Sequence, residues 1–234
     1  FDGLVRFSHT RDVRHAWWAS VGYLVQCLTS QQLALLSLPF VSMAGLWTLW
    51  TVRHERRAMI HVILATLGAV TLLAALMVPI LSLHRNLNFE RPFALVQALS
   101  AEPSDFLTRP GTAALSVPPR ESPDRDSGGL FPGLLVLILA VCGLASALRQ
   151  GVQRSWSVLL GAMAMGSFLL ALGLHLEIGG WHPFWTLRNV VPGFGQLRSP
   201  FRFAILTQLA LCLLAAIALS RIAESRPGRT GKLM

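Results

Sequence analysis

The chain has 234 residues, 53% of them apolar and 13% charged, and carries a net charge of +9. An average soluble domain is roughly 25% charged, and the apolar residues here run in long unbroken stretches instead of alternating or 3.6-residue patterns. An ordinary soluble fold is excluded, and the expected solvent is the lipid bilayer. The Arg residues sit between the apolar runs and not on one polar face, so the charge reads as membrane topology, with no nucleic-acid partner expected.

Residues 1–14 (FDGLVRFSHTRDVR) have neither the apolar core nor the small-residue cleavage site of a signal peptide. They read as a cytoplasmic N-terminal segment, and a chain that opens on Phe1 reads as a fragment or processed piece of something longer. Residues 15–28 are free of charge but fall short of the roughly 20 residues of an upright crossing. They could form a short crossing continued through Thr29-Ser30-Gln31, which we favour, or a re-entrant segment covered by its neighbours.

Residues 31–51, 58–83, 130–148, 156–174 and 203–220 contain no Asp, Glu, Lys or Arg, and each is long enough to span. The expected fold is therefore an all-α polytopic integral membrane bundle of about six transmembrane helices within residues 15–222. Short cytoplasmic loops are rich in Lys and Arg. Arg53-His54-Glu55-Arg56-Arg57, the loop with Arg149 and Arg154, and the basic tail 223–234 then lie inside, together with Arg6, Arg11 and Arg14. The inner interface also collects Trp17, Trp18, Trp47, Trp50 and Trp156, and the outer one Trp181 and Trp185. Multi-pass residence in the cytoplasmic (inner) membrane follows, with the bilayer as principal partner.

Two external loops result, 84–129 and 175–202. The first holds six of the eleven acids, with a short interfacial helix predicted from Pro92 to Leu99 and a second capped by Ser104 or Asp105. Its second half, rich in Pro, Ser and Gly, reads as irregular, with Glu121, Asp124 and Asp126 neutralised by Arg120 and Arg125. Glu102 and Asp105, three apart, would share a helical face and could hold a divalent cation or act as a general base. As solvated loop acids, one of them a cap, they need no chemistry at all.

The second loop is cationic, with Arg188, Arg198 and Arg202 against Glu177. Ser199-Pro200 forms a good helix start, placing Arg202 in a first turn where the dipole already points positive. Arg198 and Arg202, with free backbone N–H groups between them, could cradle a phosphate. Pairing with Asp105 or Glu102, or snorkelling to headgroups, would also satisfy them. His182 reads as interfacial, His61 as the donor of a helix-to-helix hydrogen bond, and His175 with Glu177 as two ligands lacking a third. The three cysteines lie in apolar runs at no metal or disulfide spacing, so no metal site and no cofactor are evident beyond that possible divalent cation.

The run Val191-Pro192-Gly193-Phe194-Gly195-Gln196-Leu197-Arg198-Ser199-Pro200-Phe201-Arg202-Phe203 resembles the PGFxxLRxPxRF segment of bacterial polytopic membrane proteins related to the GT-C glycosyltransferases. Ser100 to Pro110 resembles an external loop of that family, Leu130-Phe131-Pro132-Gly133-Leu134 its entry to the next helix, and Leu24 to Gln31 its short-helix break. The resemblance implies an enzyme that takes a sugar from a polyprenyl-phosphate carrier and attaches it to a glycan, lipid or protein on the outer face of the membrane. It also implies that Asp105 matches a recurrent loop acid and that Arg198 and Arg202 match basic positions able to contact the carrier phosphate. The family's catalytic carboxylate sits in a first external loop that has no counterpart before residue 15, so the fragment could be inactive alone. The alternative is a non-enzymatic membrane protein, either a transporter component or a scaffold subunit.

Overall fold

The computed structural model describes residues 2–87, 92–108, 129–149, 154–191, 194–197 and 199–224. Among them there is no strand beyond one isolated bridge, and the chain divides into two compact units, residues 1–91 with 191–197 and residues 92–190 with 198–234.

The first unit opens with α1 (Asp2–Thr10), followed by α2 (Val13–Thr29), α3 (Gln31–Thr51) and α4 (Arg56–Leu87). The charge-free runs become helices because a backbone in an apolar surrounding must satisfy its own N–H and C=O groups. Asp12 caps α2 by accepting from the Arg14 N–H at 3.0 Å. Ser30 alone separates α2 from α3: its N–H donates to the Gln26 carbonyl oxygen, and its hydroxyl accepts from the Leu33 N–H at 3.3 Å. The two helices fold back on each other, and Tyr23 bridges them by donating to the Ala34 carbonyl oxygen at 3.0 Å.

At the other end of this hairpin Arg11 joins the start of α2 to the end of α3. Its Nη2 donates to the Thr51 carbonyl oxygen at 3.4 Å and its Nε meets Glu55 at 3.2 Å. The segment 1–14, expected only as an N-terminal cytoplasmic stretch, contains the helix α1, whose Phe7 is fully buried among Ala16, Val52, Ala58 and Val62. Along α4 the buried residues Ala58, Val62 and Ala65 recur every three or four positions, while Ile60, Ile63, Leu64 and Leu67 face outward.

In the second unit, α5 (Phe93–Ala98) and a 3₁₀ turn at Pro103–Phe106 precede α6 (Leu134–Arg149) and α7 (Arg154–Ala171). Next come α8 (Pro183–Val190), a 3₁₀ segment at Pro200–Phe203 and α9 (Ala204–Glu224). Helix α6 starts four residues later than the apolar run does, because the Leu130 and Phe131 N–H groups are already given to the Asp105 and Thr108 carbonyl oxygens. Gly143 lets α6 approach α9 so closely that a Cβ there would fall on the Leu214 carbonyl oxygen. Between α7 and α9 the buried hydroxyls of Ser167 and Thr207 are hydrogen-bonded at 2.9 Å.

The pairings Leu130 with Gln208 and Gly143 with Leu214 set α6 and α9 parallel. Those of Gly161 with Leu144 and Ser167 with Thr207 set α7 antiparallel to both. Arg149, Arg154 and Arg221 therefore gather at one end of this bundle, and the segments 92–108, 172–190 and 199–203 gather at the other.

Among the described residues two helical stretches are long and apolar enough to cross a membrane, Gln32–Thr51 and Pro200–Glu224, with α6 and α7 as shorter apolar helices. Only 28% and 39% of the apolar windows of the first two are buried. A helix that is apolar all round yet mostly uncovered is the inverse of a soluble core helix and is what a lipid-facing helix looks like.

Candidate functional site

The connecting segments of the second unit fold into a cap over one end of its three-helix bundle. The predicted helix at 92–99 is present as α5. It is followed by Ser100, fully buried, whose hydroxyl donates to the Val96 carbonyl oxygen and accepts from the Leu174 N–H at 3.1 Å. The Ala101 N–H donates to the Ala171 carbonyl oxygen at 2.8 Å, and the Phe201 N–H to that of Leu99 at 3.2 Å. Gly173, at φ +52, abuts Ser100 and Pro200, a place where a side chain would be both strained and blocked.

Glu102 and Asp105 come together, as their spacing suggests, in a capping arrangement. Asp105 Oδ2 accepts from the Glu102 N–H at 2.8 Å, closing the 3₁₀ turn, and the Ser104 hydroxyl donates to Glu102 at 3.3 Å. Both carboxylates are half-buried. The plain capping role weighed from the sequence is thus occupied by Asp105, and no group of three or more His, Cys, Asp or Glu residues that could hold a metal ion occurs among the described residues.

The start of the last helix differs from expectation. Residues Pro200–Phe203 form a 3₁₀ turn, Ser199 makes no side-chain cap, and α9 proper begins only at Ala204. The Arg202 N–H is bonded to the Ser199 carbonyl oxygen, the Phe201 N–H to Leu99, and Pro200 has none to give. Of the N–H groups expected to face a phosphate beside Arg202, those of Phe201 and Arg202 are therefore already spent. Arg202 is exposed, while Arg198 lies outside the described residues, as do Arg120, Glu121, Asp124, Arg125 and Asp126.

Arg188 sits in the last turn of α8, its guanidinium 4.6 Å from the centre of the Trp185 ring. The ring of Trp185 in turn meets Phe93 edge-on at 5.3 Å. Helix α8 lies against the bundle through Phe184, which is buried and contacts Phe203 edge-on. The apolar–cationic character of α8, with Trp181 exposed just before it, suits an interface between headgroups and water.

The histidines are placed too. His182 binds the Leu176 carbonyl oxygen, and His175 that of Ala101. His61 donates to the Arg57 carbonyl oxygen of its own helix at 2.8 Å, and not to a neighbouring helix as expected.

Sequence reasoning missed the cavity below the cap. A groove of about 480 Å³ runs from the Pro103–Phe106 turn down between α6, α7 and α9. Its walls include Phe106, Leu137, Leu144, Met165 and Leu211, with Thr207 and Gln208 as the polar members. Phe106 is held over it by an edge-on contact with Phe168 at 4.7 Å. The small residues Ala140, Gly161 and Ala164 make room for it, and small residues on apolar helices are equally what close helix packing requires, so the groove was not legible in the sequence. Comparison with known proteins gave no matching family, no matching characterised protein and no matching solved structure.

Proposed function

We propose that this chain is the membrane portion of a GT-C-like glycosyltransferase, embedded in the cytoplasmic membrane through about six helices. It would use a polyprenyl-phosphate-linked sugar at the outer face, with a glycan, lipid or protein as acceptor. The observation that carries this function is the apolar groove of the second unit, which ends at a polar cap. A polyprenyl-phosphate is a long apolar tail with an anionic head, and such a molecule would lie with its tail between α6, α7 and α9 and its phosphate at the cap, near the level of Arg202 and Arg188. Support for the crossings comes from the six apolar runs, all helical, and from the arrangement of basic ends. Arg11 ties the start of α2 to the end of α3, and Arg149, Arg154 and Arg221 share one end of the second bundle.

The chemical step is assigned to no residue of this chain. The roles open to its own groups are to hold the tail, to orient the head through arginine side chains, and to keep the Glu102–Asp105 turn rigid above the groove. Gly161→Leu, which puts bulk into the groove wall, and Arg202→Gln, which removes a charge from the cap, are each expected to weaken binding of a polyprenyl-phosphate sugar about tenfold. Equilibrium binding to the purified protein in detergent measures this. Unchanged affinity in both variants, each folded, would overturn the proposal and leave a transporter component or scaffold subunit as the better account.

A further inference from the structure

A second cavity lies in the first unit, far in sequence from the cap. It measures about 520 Å³ and is lined by Arg11, Glu55, Arg56, Arg57 and His61, with Val13 and Ala58 as its apolar floor. Charge in it is unbalanced. Its one carboxylate, Glu55, is engaged by Arg11 at 3.2 Å, and among the described residues Arg56 and Arg57 have no carboxylate partner. Both occupy the first turn of the 32-residue helix α4, which has no acidic residue in that turn, so the positive end of the helix dipole adds to their charge.

Arg11 supplies a further observation. Its Nε and Nη2 are matched to Glu55 and to the Thr51 carbonyl oxygen, but its Nη1 is buried without a hydrogen-bond partner. Three guanidinium groups, two of them exposed, a positive helix end and an unmatched donor on Arg11 around one hollow favour an anion. The surroundings say which kind. Trp50 is exposed with Arg53 over its ring at 4.9 Å, and Trp17 and Trp18 are exposed at the adjoining start of α2. These aromatic–cationic neighbours belong to the headgroup level of a bilayer.

We propose that this cavity is a binding site for a phosphodiester anion, filled by the headgroup of an anionic phospholipid of the inner leaflet. The site rests on the membrane placement proposed above but not on the glycosyltransferase activity. Arg56 and Arg57 hold the phosphate oxygens, Arg11 closes the site from the α1–α2 connection, and the acyl chains run along the exposed apolar face of α4.

The test uses the full chain purified in detergent, with bound lipid counted by native mass spectrometry. The probes are dioleoyl phosphatidylglycerol, dioleoyl phosphatidylcholine and inorganic phosphate. Phosphatidylglycerol is expected to be retained about tenfold more tightly than phosphatidylcholine, and the pair R56Q/R57Q to lose about that factor. R149Q/R221Q, equal in charge change but in the other unit, is expected to lose less than about twofold. E55Q, which removes the carboxylate of the cavity, should tighten retention, a gain that misfolding cannot imitate. Equal losses in the two double variants, or no loss in R56Q/R57Q, would overturn the site. Displacement of the lipid by millimolar inorganic phosphate would overturn the lipid source and assign the site to free phosphate. Alkaline carbonate extraction tests the membrane placement separately: a chain released by carbonate fails that placement, whereas an integral chain with equal losses fails only the lipid site.

Discussion

The two units hold their helices together by opposite means. In the first, a large side chain is driven into the gap: Phe7 of α1 plugs the space between α2, α3 and α4, and the ends are tied by Arg11. In the second, side chains are removed so that backbones touch, at Gly143 between α6 and α9, and a hydroxyl pair replaces the plug between α7 and α9. A plug at an interface depends on water to drive it in, whereas helices surrounded by lipid gain little from apolar burial and must rely on close fit and polar contacts.

The sharpest way to break the second strategy is Gly143→Leu. Its side chain has no space at the Leu214 carbonyl, so α6 and α9 must part, and loss of a monodisperse folded protein is expected on size-exclusion chromatography. The corresponding change in the first unit, Phe7→Ala, should cost about 3 to 5 kcal/mol and be read as a lowered unfolding midpoint. Next in size is Gly173→Ala at the cap, where a positive φ and contact with Ser100 and Pro200 combine to cost about 2 kcal/mol. Limited proteolysis should then cut the cap before the bundle. The smallest effect belongs to Thr207→Val, which removes the hydroxyl pair at about 0.6 kcal/mol and should barely move the same midpoint. A larger loss there would mean that the pair, and not the Gly143 contact, fixes the second bundle.

These contrasts also explain what could be read from the sequence. The run 31–51 is α3 residue for residue, and the other five charge-free runs are helices with ends shifted by one to four positions. Uninterrupted apolar composition leaves the backbone no alternative to helix, so that part was legible. Helix α1 was not, because Arg6, His9 and Arg11 hide a single buried Phe7, and one plug is no periodic pattern. At the cap, the acidic pair and the Ser199-Pro200 start were visible as types, but their outcome depended on partners far along the chain. Leu99 takes the Phe201 N–H, and Ala171 takes that of Ala101. Helix α8 did carry a local signal, Pro183 at its first position, and could have been found from it.

Ser30 closes α2 and opens α3 with one residue, using its backbone N–H for the first and its hydroxyl for the second. With no slack at that corner, α2 cannot slide along α3 or turn about its own axis without giving up one of the two bonds. The pair behaves as a single stiff staple. The staple's open end lies at Arg11–Asp12 and at 52–55, where Arg11 and Glu55 line the basic cavity. An anion seated there would bear on both legs at once and lock them.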